Sequence, residues 1–284
     1  MTKLVLILTL LQFPLSIFCE PAVKYKQVLI LAGDKHRTTA FTPLLKKHTT
    51  NNTELRFYGM NVNPNRGNHI QDLKNIQNII SESFNDDKEI LVLSWSIASK
   101  LVVDLLDSSP NIKKVIMFDP MDGSPPLSKT SDLRPETTNK ELPRLDVEVL
   151  ILKAELSHRS NFIFKAICDR KPHEFEKFTT QYDVVNPQVH VIKGAGHLQL
   201  IYGPFGILAH LACRSGPKKK AIVLYEVKSI IHDFLDNKDT SSHVFEGCDD
   251  LKHGERKSRN RYCVDGEVKD RKFLKNVTNR SDGK

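Results

Sequence analysis

A chain of 284 residues that is 39% hydrophobic and 27% charged has the make-up of a globular protein with one large domain or two small ones. That composition excludes a disulfide-stapled miniprotein, a disordered chain and a multi-spanning membrane protein. The formal net charge of +8 is not gathered into a lysine and arginine block with interleaved aromatics, so no nucleic-acid partner is expected.

Lys3 precedes the apolar run LVLILTLLQFPLSIFC, which stops abruptly at Glu20-Pro21. A positive start, a short apolar core and a small residue at Cys19 predict a secretory signal peptide over 1–19, with an uncleaved N-terminal anchor as the alternative. No second long apolar stretch follows. The expected mature protein is therefore secreted and extracellular, with membrane association at most transient.

Continuous apolar runs then alternate with amphipathic stretches. QVLILA (27–32) predicts a buried strand, AFTPLLKK (40–47) a helix and ELRFYGM (54–60) a second strand. DLKNIQNIISESF sets Leu73, Ile76, Ile79, Ile80 and Phe84 at helical spacing. EILVLS (89–94), KKVIMFD (113–119), VEVLILKA (147–154) and VHVIKG (189–194) predict further strands, with a helix over IASKLVVDLLD. A helix over 218–237 carries Val223, Val227, Ile230, Ile231, Phe234 and Leu235 on one face. Strands apolar throughout are covered on both sides, and strand–helix alternation gives right-handed crossovers. The expected fold class is α/β: a mostly parallel sheet with helices on both faces, over 20–238. Residues 239–284, basic and with two cysteines, read as a tail or small appendage.

Within EILVLSWSIASKLVV a strand runs into Ser94-Trp95-Ser96-Ile97-Ala98 and on into a helix. A small-x-Ser-x-small turn at such a junction suits a nucleophile elbow, because only small neighbours tolerate its strain. Ser94 and Ser99 stand close by as alternative caps. KKVIMFD ends at Asp119, and VHVIKG leads into Gly194-Ala195-Gly196-His197. Serine, acid and histidine thus follow in the order of an α/β-hydrolase triad. Ser96 is the candidate nucleophile, His197 its general base and Asp119 the group that orients the histidine. The backbone N–H groups of Ile97 and Asp34 are candidate oxyanion donors. Glu155 and Asp122 compete for the acid's place, whereas His190 and His210 read as surface or structural.

Cys168, Cys213, Cys248 and Cys263 form an even set with three possible pairings, suited to an oxidising compartment. No two lie two to four residues apart, so no zinc site is expected, and no other metal or cofactor is implied. Asn51, Asn276 and Asn279 head glycosylation sequons.

The run Phe118-Asp119-Pro120-Met121-Asp122-Gly123 resembles the aspartate-proline-x-aspartate-glycine segment of chlorophyllases, which are α/β-hydrolases. The resemblance continues through LDVEVLILKAELSHRS, Cys168 in AICDRKPHEFEKF, Gly196-His197-Leu198-Gln199-Leu200, Cys213 and the last helix, covering about residues 27–237. It implies Ser96, Asp119 and His197 as the triad, and a hydrophobic ester cleaved through an acyl-enzyme. It also puts Cys168 and Cys213 in the hydrolase body, which leaves Cys248 and Cys263 to pair in the tail. Where the family's elbow reads G-H-S-R-G-G, every neighbour of Ser96 differs here. Asp34 follows Ala32-Gly33, the counterpart of the family's His-Gly, and Gln199 stands where an aspartate is usual. These departures motivate a second reading, a catalytically silent hydrolase fold that binds a lipid or pigment.

Overall fold

The computed structural model describes residues 25–33, 38–60, 69–120, 146–157, 187–203, 205, 213, 215–238, 240, 261–264 and 267–270. The apolar runs form β1 (Gln27–Gly33), β2 (Glu54–Met60), β3 (Ile90–Trp95), β4 (Ile112–Phe118), β5 (Glu148–Ala154) and β6 (Gln188–Ile192). They lie in one parallel sheet in the order β2-β1-β3-β4-β5-β6. Successive side chains of a strand point to opposite faces. Val28, Ile30, Leu91, Leu93, Ile116, Phe118, Leu150 and Leu152 therefore join one core, and Leu29, Leu31, Val92, Val115, Met117 and Ile151 join another.

The first core is closed by α1 (Thr42–Leu45) and α4 (Lys220–Leu235), which buries Val223, Val227, Ile230, Ile231, Phe234 and Leu235. The second is closed by α2 (His69–Ser83) and α3 (Ser99–Ser108), with Ile76, Leu101, Val102 and Leu105 inward. The first of the expected helices shrinks most, to the single turn that Pro43 opens, and the last is trimmed by two residues at each end. In the C-terminal region the structure adds an antiparallel hairpin, β7 (Arg261–Val264) with β8 (Glu267–Asp270). Their polar sequences announce no strand.

Among the lysines in these strands, Lys114 of β4 points into the interior. Lys114 is buried, and its ammonium donates to Glu148 at 2.7 Å, to the Phe234 carbonyl at 3.2 Å and to Asn237 Oδ1 at 2.5 Å. A buried cation needs such partners. It thereby ties β4 to the C-terminal end of α4, where Asn237 takes the left-handed conformation (φ 57°) that often closes a helix.

α4 also carries His232, whose Nε2–H donates to the Leu44 carbonyl (3.2 Å) and whose ring packs edge-on against His48, with ring centroids 5.0 Å apart. Burial, followed by the nearby His48, Lys228 and Lys47, pushes His232 down from 6.5 to about 4. Between those values the unfolded chain binds a proton that the folded one refuses, so stability falls as pH drops from about 6.5 towards 4. The ring is partly exposed, and the loss is expected to be on the order of 1–2 kcal/mol. Urea unfolding at neutral and mildly acidic pH measures it. His232→Gln, which cannot take up the proton, should flatten the difference.

Candidate active site

β3 delivers Trp95 in extended conformation (φ −129°), and the next residue, Ser96, turns to φ +59° before a 3₁₀ turn (Ser96–Ala98) leads into α3. Three non-glycine residues among those described have positive φ: Ser96, Asp119 (45°) and Asn237. Asparagine and aspartate tolerate that region; serine adopts it less readily. A strained backbone persists where surrounding structure enforces it, and such residues cluster at functional sites. Beneath the turn the hydroxyls of Ser94 and Ser99, both buried, lie 2.9 Å apart and hydrogen-bond to each other. The flanking serines thus fasten the strand end to the helix start, while Ser96 stands half-exposed above them.

β3 and β4 are adjacent and end in the pair Trp95↔Phe118. Ser96 and Asp119 are therefore each one residue past that pair, at the carboxyl edge of the sheet where α/β sites form. The Asp119 N–H donates to the Leu152 carbonyl at 2.7 Å, and Oδ1 accepts from the Ala154 N–H at 3.0 Å, so β5 orients the carboxyl. Oδ2 lies 2.5 Å from His197 Nδ1, with both residues buried. A carboxylate can only accept, so Nδ1 carries the proton and Nε2 is left as the basic nitrogen.

The histidine reaches this place on a loop that folds back from β6 across the end of β5. The Leu156 N–H donates to the Ala195 carbonyl at 2.9 Å. The Gly194 N–H donates to Glu155 Oε2 at 2.6 Å. Glu155 is therefore exposed and holds the loop, and Asp119 is the acid that touches His197. Asp122 and Asp34 lie outside the described residues, as do Cys168, Cys248, His210, Asn276 and Asn279. Ile97 occupies the first turn after the elbow, where helix amides lack intrahelical acceptors. His190 bonds Thr240 at 2.7 Å, away from the site. Cys213 is buried and disulfide-bonded, and its pairing lies outside the described residues.

Two contributors escape sequence reasoning. Gln199, buried, accepts with Oε1 from the Gly196 N–H at 2.7 Å and from the Gly216 N–H at 2.6 Å. Its Nε2 donates to the Lys218 carbonyl at 2.5 Å. One amide thus clasps the histidine loop to the segment ahead of α4. That segment packs so closely that a Cβ on Gly216 would sit 2.0 Å from the Gly194 carbonyl oxygen, which admits only glycine. The second contributor is Trp95, whose ring lies 4.6 Å from that of His197 at 31°. Phe205 stacks with Trp95 at 6.5 Å, and the Lys220 ammonium lies 4.4 Å from the Phe205 centroid. Burial lowers Lys220 to about 8. A polar glutamine within an apolar loop was the available signal for the first; the second shows as a large residue beside the elbow, but nothing local marks its contact with His197.

Among the described residues no group of histidine, cysteine and carboxylate side chains is placed to hold a metal ion. No helix among them is long and apolar enough to cross a membrane.

No known family profile matches the chain, and no curated protein matches it by sequence. Similar solved structures include a metagenomic carboxyl esterase at 12% identity, covering 77% of this chain and 76% of that one, with a TM-score of 0.43. A carboxylesterase of Bacillus cereus matches at 14% identity over 75% of this chain and 88% of its own, with a TM-score of 0.41. An esterase of Pyrococcus furiosus matches at 12% identity over 77% and 85%, with a TM-score of 0.44. Independently of these likenesses, a parallel sheet with a strained serine after β3, an acid after β4 and a histidine after β6 has the organisation of an α/β-hydrolase fold.

Proposed function

We propose that the chain is a serine hydrolase of carboxylic esters. The observation that carries this reading is the buried Asp119–His197 pair at 2.5 Å, set beside a strained elbow serine. In the proposed cycle His197 Nε2 takes the Ser96 proton as Oγ bonds to the ester carbonyl carbon. The resulting oxyanion is held by the Ile97 N–H, with Asp34 N–H as the second donor. His197 then returns the proton to the departing alcohol, leaving an acyl group on Ser96. Water activated by the same imidazole releases the acid.

The chlorophyllase-like sequence features favour an ester with a hydrophobic acyl or alcohol part. The apolar start of the chain favours secretion. Asn51, exposed in the turn between α1 and β2, is open to glycosylation on that route.

A fluorophosphonate probe tests the reading, with the labelled peptide identified by mass spectrometry alongside p-nitrophenyl ester turnover. Labelling at Ser96 with turnover is the expected result. Folded protein that takes no label but binds a lipid or pigment overturns it in favour of the silent binding protein.

A further inference from the structure

The chain contains a single tryptophan, and it is the residue immediately before the elbow serine. Trp95 is buried in the core that also holds Phe118, Ala195 and Leu198, with Phe205 packed against it. Its indole lies against His197, with ring centroids 4.6 Å apart and planes tilted by 31°, and stacks on Phe205 at 6.5 Å, which the Lys220 ammonium caps. Asp119 holds the Nδ1 edge of the imidazole, which still leaves the ring free to tilt about that hydrogen bond. A flat aromatic surface at stacking distance restrains the tilt.

Resting on the esterase reading, we propose that Trp95 is a positioning residue for His197, and that its indole reports directly on the protonation of that histidine. In the proposed cycle the imidazole becomes cationic when it takes the serine proton. The face of an indole attracts a cation more strongly than it does a neutral ring. The stack therefore strengthens towards the transition state, and an interaction of that kind raises kcat rather than lowering KM. The other charged groups around the ring are engaged elsewhere. Asp119 faces it from the end of β4, Glu155 holds the Gly194 N–H, Lys218 pairs with Glu226, and Lys220 lies over Phe205 and donates to the Gly203 carbonyl.

The first experiment needs no substrate. Tryptophan emission of the wild-type protein is followed between about pH 5 and 8, where histidine changes charge. Emission is expected to fall on acidification as the imidazolium quenches the indole, and the pH dependence should vanish in His197→Gln. A flat wild-type profile, or a titration that survives in His197→Gln, overturns the inference whatever an ester assay returns.

The second experiment compares Trp95→Leu with Trp95→Phe, using thermal melts to confirm that both fold. Trp95→Leu should lower kcat about tenfold with KM little changed, and Trp95→Phe should recover most of the loss. Wild-type kcat in Trp95→Leu, or a loss confined to KM, overturns the positioning role. A His197-dependent emission change in a protein that turns over no ester sinks the esterase reading alone and upholds the stack.

Discussion

Ser96→Ala is expected to abolish ester turnover, lowering kcat by about four to six orders of magnitude. No neighbouring hydroxyl can take over. Ser94 and Ser99 are buried below the turn and spend their hydroxyls on each other at 2.9 Å. Stability should change by no more than about 0.5 kcal/mol, because alanine meets the same backbone constraint at φ +59° and the lost hydroxyl belongs to a half-exposed side chain. Ser94→Ala should behave in the opposite way, costing about 1 kcal/mol of stability for the lost buried hydrogen bond while leaving the nucleophile in place. Thermal melts and steady-state hydrolysis of a p-nitrophenyl ester separate the two effects. If Ser96→Ala retains wild-type turnover, the reaction is carried by another residue.

Asp119→Asn should cost about four orders of magnitude in kcat, and Glu155→Gln less than about threefold. The carboxyl of Asp119 faces two donors, the Ala154 N–H at 3.0 Å and His197 Nδ1 at 2.5 Å. An amide can accept from only one of them. If its oxygen stays with Ala154, its NH₂ faces Nδ1, drives the ring proton to Nε2 and removes the base from the serine's side. If it flips, two donors confront each other at Ala154, at a cost of about 1–3 kcal/mol. Glu155 accepts a single bond from the Gly194 N–H, and a glutamine oxygen accepts it equally well. A comparison of kcat/KM for the two variants decides between the acids. Greater damage from Glu155→Gln would move the acid one strand along.

The sheet was readable because β1, β3, β4 and β5 are buried over most of both faces, and such strands carry long apolar runs. α4 announced its buried face through the spacing of Val223, Val227, Ile230 and Phe234. The β7–β8 hairpin did not, since RYCV and EVKD carry too few apolar residues to show a period. Within the site, chain order singled out Ser96, Asp119 and His197 but left Glu155 in competition, because both acids follow a strand end. What separates them is the path of the histidine loop, which crosses β5 and presents a backbone amide to one acid and an imidazole to the other. Gln199 looked like a mere departure from a family pattern. Its work depends on Gly216 and Lys218, 17 and 19 residues away, whose approach no local pattern encodes. Trp95 was visible as a large residue beside the elbow, but its contact with His197 arises from the register of β3 against β4 and the return of a distant loop.

The partners of the acid–base pair stand 78 positions apart in the chain, with β5 and β6 between them. The elbow, by contrast, is local: β3, its turn and α3 are contiguous. On the proposed assignment, synthesis delivers the nucleophile first and the base last, and contacts of such long range form slowly during folding. A nascent or truncated chain ending before β6 carries an elbow serine with nothing to deprotonate it. On that assignment the serine gains its base only when the sheet is complete, and completion of the fold is itself the activating step.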